Sequence, residues 1–193
     1  LILGGSQVRI LARAQMSRLK YFKIIISLIL SAYFLSYATH AKNLSNWNII
    51  DSVDLIFHEA GHSIFIFFGE FIHVLAGSAF QIFVPLVFVV YFALWRKEIF
   101  SASLLLFWVG QNIVNVSIYM GDSIKLQLPL LGGDGVIHDW NYLLSVTGLL
   151  KYTDILSTIT YDIGLLTIII AGVMSVYFSW YNPQYESTTN KRN

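Results

Sequence analysis

Apolar and polar positions segregate along this chain in whole segments rather than residue by residue. Five stretches, at roughly 21–39, 50–70, 73–95, 99–121 and 158–181, are almost continuously apolar. Each is long enough to span or nearly span a bilayer, which takes about 20 residues at about 1.5 Å rise each. Polar residues gather in short turns between them, with one long exception at 121–157. The pattern predicts an all-α fold, a polytopic membrane helical bundle of about five hydrophobic helices.

The five segments carry different polar content. Arg18, Lys20 and Lys23 lead into the first, whose small-residue end at 38–41 also fits a signal segment. The length of the run and the poor cleavage sequence Thr39-His40-Ala41 favour a retained helix. The second opens with Asp51 and Asp54. Asp51 is suited to cap the helix, and Asp54 to sit near the positive end of its dipole. Asp54 also precedes His58 by four residues, a spacing from which it could orient that ring. In the third segment Gln81 lies one turn before Pro85, where a kink is expected.

The fourth segment carries a stripe of Gln111, Asn115 and Asp122, with Asn112 and Tyr119 beside it. At about 100° per residue the three stripe residues fall within about 40° of one another. Polar side chains inside a membrane segment face the protein interior or a water-filled cavity; hydrogen bonding between helices is the bland alternative. Within 121–157, Gly132, Gly133 and Gly135 form a flexible turn ahead of His138-Asp139-Trp140, and residues 143–150 are expected as a short interfacial or re-entrant helix. The basic lead-in places the N-terminus in the cytoplasm by the positive-inside rule. Five spans would then leave Arg96 and Lys97 outside, so one segment is expected to be re-entrant or removed.

Composition supports a membrane protein. The 193 residues are 56% hydrophobic and 12% charged, too apolar for an ordinary soluble domain. The lipid bilayer is the expected environment, with a bacterial cytoplasmic membrane the default location. A net charge of +1 offers nothing to nucleic acid. The absence of cysteine excludes disulfides, thiolate ligands and a cysteine nucleophile. Five histidines, at 40, 58, 62, 73 and 138, are too few for the His-rich di-iron site of membrane desaturases. Residues 1–15 differ in character from the MSRLKYFK that follows, so Met16 reads as the biological start, with an upstream extension before it. Residues 16–182 then form a single membrane-embedded domain, and 183–193 a polar disordered tail.

The chemistry concentrates at 58–62, HEAGH. On a helix His58 and His62 share a face one turn apart, which suits two imidazoles binding one zinc ion with Glu59 beside it as general base. Ionised groups at a bilayer centre cost roughly 2.5–3.5 kcal/mol each, so they require a partner or a purpose. A catalytic zinc takes three protein ligands and an open position. Asp122, at the end of the polar stripe, is the first geometric candidate for the third ligand; Asp134, His138 and Asp139 are its rivals. His40 and His73 read as ordinary interfacial histidines.

A membrane-embedded HEAGH followed by a hydrophobic hairpin resembles the site-2 protease family of intramembrane zinc metallopeptidases. In that family the motif helix supplies two histidine ligands and a glutamate, matched here by His58, His62 and Glu59. A later helix with an Asn upstream of an Asp-Gly supplies an aspartate ligand. Asn115 and Asp122 resemble that layout, although Ser follows Asp122; Asp134-Gly135 keeps the pair but lacks the Asn. The Pro usual near that Asn is absent, as is a PDZ-like domain. The resemblance covers about 50–135. It implies a zinc-activated water, Glu59 as proton acceptor, Asn115 as a group holding substrate or oxyanion, and a transmembrane or juxtamembrane peptide as substrate. The same activated water would serve a hydrolase of lipid amides or esters, and a metal-stabilised protein without catalysis is a third possibility.

Overall fold

A chain in hydrocarbon must satisfy its backbone N–H and C=O groups internally, so each apolar run closes on itself as a helix. The structure is a computed structural model that describes residues 5–41, 48–128 and 138–181. These form six α-helices: α1 Gly5–His40, α2 Ile49–Phe65, α3 Glu70–Val90, α4 Ile99–Gly121, α5 Asp139–Val146 and α6 Thr153–Trp180. A 3₁₀ turn at Ile66–Phe68 joins α2 to α3, and α3 runs on through a π-helical turn at Tyr91–Trp95. Four stretches are long and apolar enough to cross a membrane: Ala14–His40, Glu70–Trp95, Ile99–Gly121 and Leu150–Trp180. The chain therefore has the make-up of an integral membrane protein.

The second predicted span differs. It becomes α2, whose 17 residues reach only about 25 Å, and whose buried residues are Asp51, Asp54, His58 and Gly61. Asp51 does not cap it from outside. The N-cap is Asn48, and Asp51 sits inside the first turn, accepting from the Asn48 backbone N–H at 2.8 Å. The short helix expected at 143–150 begins four residues earlier, at Asp139, because His138 caps it and accepts from the Asn141 N–H through Nδ1 at 3.4 Å. Helix α1 starts at Gly5 and runs unbroken past Met16. Asp134 and the glycines around it, and the tail from 182, lie outside the described residues.

Helix α4 is the centre of the bundle. It crosses α6 where two glycines meet: a Cβ on Gly110 or on Gly164 would lie 3.0 Å from the other's carbonyl oxygen. Small residues allow such backbone approach, and dispersion contacts between close helices replace the hydrophobic drive that lipid does not supply. Phe107, Val114, Ile168 and Ala171 fill this seam. Helix α1 covers it, stacking Phe34 on Phe107 with ring centroids 5.3 Å apart, and Tyr161 donates to the Ala38 carbonyl at 3.0 Å. Helices α2 and α3 form an antiparallel hairpin through a turn at Gly69, whose φ of +86° favours glycine. A Cβ on Gly61 would overlap the carbonyl of Ala76, so these backbones also touch.

One end of the bundle is basic. Lys23 lies 4.7 Å from the Phe100 ring and Lys20 lies 6.0 Å from the Trp180 ring. The basic lead-in, the Arg96-Lys97 turn and the end of α6 thus share one end. With α2 short of a full span, the conflict over Arg96 and Lys97 disappears. Tyr119, 19 residues beyond Phe100 on α4, is about 28 Å away along the axis, and the polar site gathers there.

Candidate metal centre

Three side chains from two helices converge near Tyr119. His58 and His62 stand one turn apart on α2, with ring centroids 4.7 Å apart. Asp139 opens α5, and its Oδ2 lies 2.9 Å from His58 Nε2 and 3.2 Å from His62 Nε2. His58 and Asp139 are buried and His62 nearly so. These three residues form a group that could hold a metal ion. Helix α5 is fastened in place by its neighbours. The Asp139 N–H donates to Tyr119 Oη at 3.1 Å, Trp140 Nε1 donates to Ser78 Oγ at 3.0 Å, and Asn141 Nδ2 donates to the Ser123 carbonyl at 2.8 Å.

The far nitrogen of each ring decides what the near one can do. His62 Nδ1 faces the His73 carbonyl at 2.8 Å, an acceptor only, so Nδ1 carries the proton. His73 returns the bond to the His62 carbonyl at 2.9 Å. His58 Nδ1 faces Gln81 Oε1 at 2.9 Å, and the amide's other end donates to Asn115 Oδ1 at 3.2 Å. Both histidines therefore spend their Nδ1–H outward and turn an Nε2 lone pair toward Asp139. Each lone pair faces the same carboxylate oxygen within 3.2 Å, an arrangement that is repulsive unless a cation, proton or metal, lies among them. Outward hydrogen bonds of this kind fix the tautomer and heading of metal-ligating histidines.

The dimensions also fit an ion. Two bonds of about 2.0–2.1 Å at a tetrahedral angle set ligand atoms about 3.3 Å apart, close to the 2.9 and 3.2 Å found. A cradle for it exists at Gly77 on α3, where a Cβ would lie 2.5 Å from His62 Nε2 and 2.7 Å from His58 Nε2. Only glycine leaves the space beside both nitrogens empty. Burial raises the pKa of Asp139, whereas positive charge on the neighbouring imidazoles pulls the carboxyl below its ordinary range. Burial lowers the pKa of His138, against the opposing pull of Asp122.

The other candidates take different places. Asp122 ends α4 and receives the Gln127 and Leu128 N–H groups at 3.0 and 2.8 Å, so its carboxylate ties down the following turn. His138 Nε2 stands 3.4 Å from Asp122 Oδ2, at ion-pair distance without hydrogen-bond alignment, and its ring packs on Tyr119. Asp122 and His138 thus pair with each other, and the group with His58 and His62 is completed by Asp139 instead. Asp54 does not orient His58. It accepts from Trp108 Nε1 at 2.8 Å and Asn112 Nδ2 at 3.0 Å, while Gln81 holds the ring. Asn115 lies one bond behind, between Gln81 and Asp51. Glu59 is exposed on α2, and its charge acts on both His62 and Tyr119. His40 bonds back to the Ser36 carbonyl at 2.8 Å.

No family model, curated protein or solved structure matches this chain. Its site must be judged on its own geometry. Three participants escaped sequence reasoning: Gln81 as a partner of His58, His73 as the partner of His62, and Gly77 as the cradle. For Gly77 a signal existed: Ala76, Gly77, Ser78 and Ala79 form a run of small residues inside an apolar helix, which marks close approach by a neighbour.

Proposed function

We propose that this protein is a membrane-embedded zinc hydrolase that cleaves peptide bonds in or near transmembrane segments. The observation that carries the reading is the convergence of two Nε2 lone pairs and the Asp139 carboxylate on one point, with their donors spent elsewhere. Two imidazoles and a carboxylate suit zinc and leave a fourth position for water. When bound, zinc would supply a Lewis acid and a water acidic enough to deprotonate near neutrality. Glu59 follows His58 directly and is exposed, which leaves it able to accept that water's proton and return it to a leaving amine. Asp139 supplies charge to the site, while Gln81 and the His73 carbonyl keep both imidazoles aimed. The Tyr119 hydroxyl, by accepting the Asp139 N–H, holds the aspartate's backbone in register.

A substrate within the bilayer is supported by position: the site is built among apolar helices, and Ile56 and Ile64 on α2 and Phe67 in the turn after it are exposed. By the positive-inside rule the basic end lies in the cytoplasm and the site toward the opposite face. The test is Glu59→Gln. Purified in detergent and returned to vesicles with a transmembrane peptide, the wild type should cut the peptide, and the variant should keep its zinc and lose cleavage. Retained cleavage by the variant would sink Glu59 as the base. Turnover of lipid amides or esters in place of peptides would move the substrate to another class.

A further inference from the structure

The His58 tautomer is set from a distance, and the direction of the hydrogen bonds leads to its source. Asp51 is an acceptor only, and it is buried. Its Oδ1 takes the Tyr37 hydroxyl at 2.7 Å, Gln111 Nε2 at 3.1 Å and Asn115 Nδ2 at 3.3 Å, and its Oδ2 takes the Asn48 N–H at 2.8 Å. Because Asp51 can only accept, Asn115 must present its NH₂ to it and turn its oxygen away. That oxygen receives Gln81 Nε2 at 3.2 Å, so Gln81 in turn must aim Oε1 at His58 Nδ1, 2.9 Å off. An amide reversed anywhere in this line would set two donors or two acceptors face to face. The links join α2 to α3, α3 to α4 and α4 back to the first turn of α2.

We infer that Asp51 acts through Asn115 and Gln81 as a polarity relay that fixes the proton of His58 on Nδ1 and so presents Nε2 to a metal. The three are positioning residues; none touches the ion. Primary amides pass on orientation and polarisation but not a proton, so the line is an aligning device. The inference rests on the metal reading above, and gives Asn115 a task other than holding substrate.

The decisive substitution is Asn115→Leu, which cuts the line between Asp51 and Gln81. Asp51 keeps its other three donors, so the α2 cap survives. Gln81 is then free to turn. Imidazole ¹⁵N spectra of the metal-free protein should show the Nε2–H tautomer of His58 gaining population, and zinc affinity, measured by chelator competition, should fall about 10- to 100-fold. Adding Gln81→Glu places a fixed acceptor against Nδ1 and should restore both readouts without Asn115. Unchanged His58 nitrogen shifts and unchanged affinity in Asn115→Leu would overturn the relay while leaving the metal site standing. A loss that Gln81→Glu fails to repair would overturn it too, by reducing Asn115 to a packing role. A wild-type protein that binds no zinc would remove the metal reading and the relay together.

Discussion

Substituting Gly77 by alanine adds one carbon at the most sensitive point of the molecule. The new Cβ would stand 2.5 Å from His62 Nε2 and 2.7 Å from His58 Nε2, where ordinary contact begins at 3.4 Å. The rings must retreat by about 0.9 and 0.7 Å, or α3 must back away from α2, which the contact between Gly61 and the Ala76 carbonyl resists. Metal–ligand distances tolerate only about ±0.2 Å. At least one imidazole should therefore be lost as a ligand, and zinc affinity should drop by about 100-fold or more, or roughly 2.7 kcal/mol. The fold itself should change little. Alanine gains about 0.8–1.0 kcal/mol over glycine in a helix interior, against an overpacking cost of about 1–3 kcal/mol. Chelator competition on detergent-purified protein, paired with helicity melts with and without zinc, reads both quantities. A Gly77→Ala protein with wild-type zinc affinity would refute the cradle and the siting of the ion between the two Nε2 atoms.

Alanine at His58, His62 or Asp139 should abolish stoichiometric zinc in the purified protein, whereas His138→Ala should retain it; zinc surviving Asp139→Ala but not His138→Ala would reverse the choice of third ligand. Asp54→Ala leaves the Trp108 and Asn112 donors without their buried acceptor, at about 1–3 kcal/mol for each unsatisfied group, and should lower the melting temperature while zinc stoichiometry is maintained. Gly164→Ala forces α6 from α4, since its Cβ would lie 2.8 Å from the Val114 backbone nitrogen, while Gly121→Ala meets only Ser157 at 3.4 Å. The first should destabilise by about 1–3 kcal/mol and the second hardly at all, read as thermal melting in one detergent.

Periodicity carried the fold a long way. Four of the five apolar runs are long helices, and the α4 stripe does face inward, as the rotational positions of Gln111 and Asn115 require. What periodicity could not supply was the partner across the interface. Those amides meet Asp51 on α2, because the approach of two helices is decided by small residues and by the register of the α2–α3 hairpin. The third member of the His58–His62 group shows the same limit. Asp122 lay on the right stripe, but as the C-cap of α4 its carboxylate meets the N–H groups of the next turn, a local claim that outcompetes a distant one. Asp139 reaches the site because Trp140 docks α5 on α3 and Asn141 docks it on the turn after α4. Gln81, noticed only for its distance from Pro85, acquires its role when α2 is laid beside α3.

The separation of the two ends of α4 has a consequence for supply. Arg18, Lys20, Lys23, Arg96 and Lys97 gather at one end of the bundle, and His58, His62 and Asp139 lie about 28 Å further along α4, toward the end that carries Lys125 and Lys151. Under the proposed function, with the more basic end cytoplasmic by the positive-inside rule, such a centre would draw its metal from the outer pool, and its occupancy would follow the mineral content of the surroundings. A membrane-impermeant chelator added to intact cells should then strip it, and replenishing zinc in the medium should refill it without new protein synthesis.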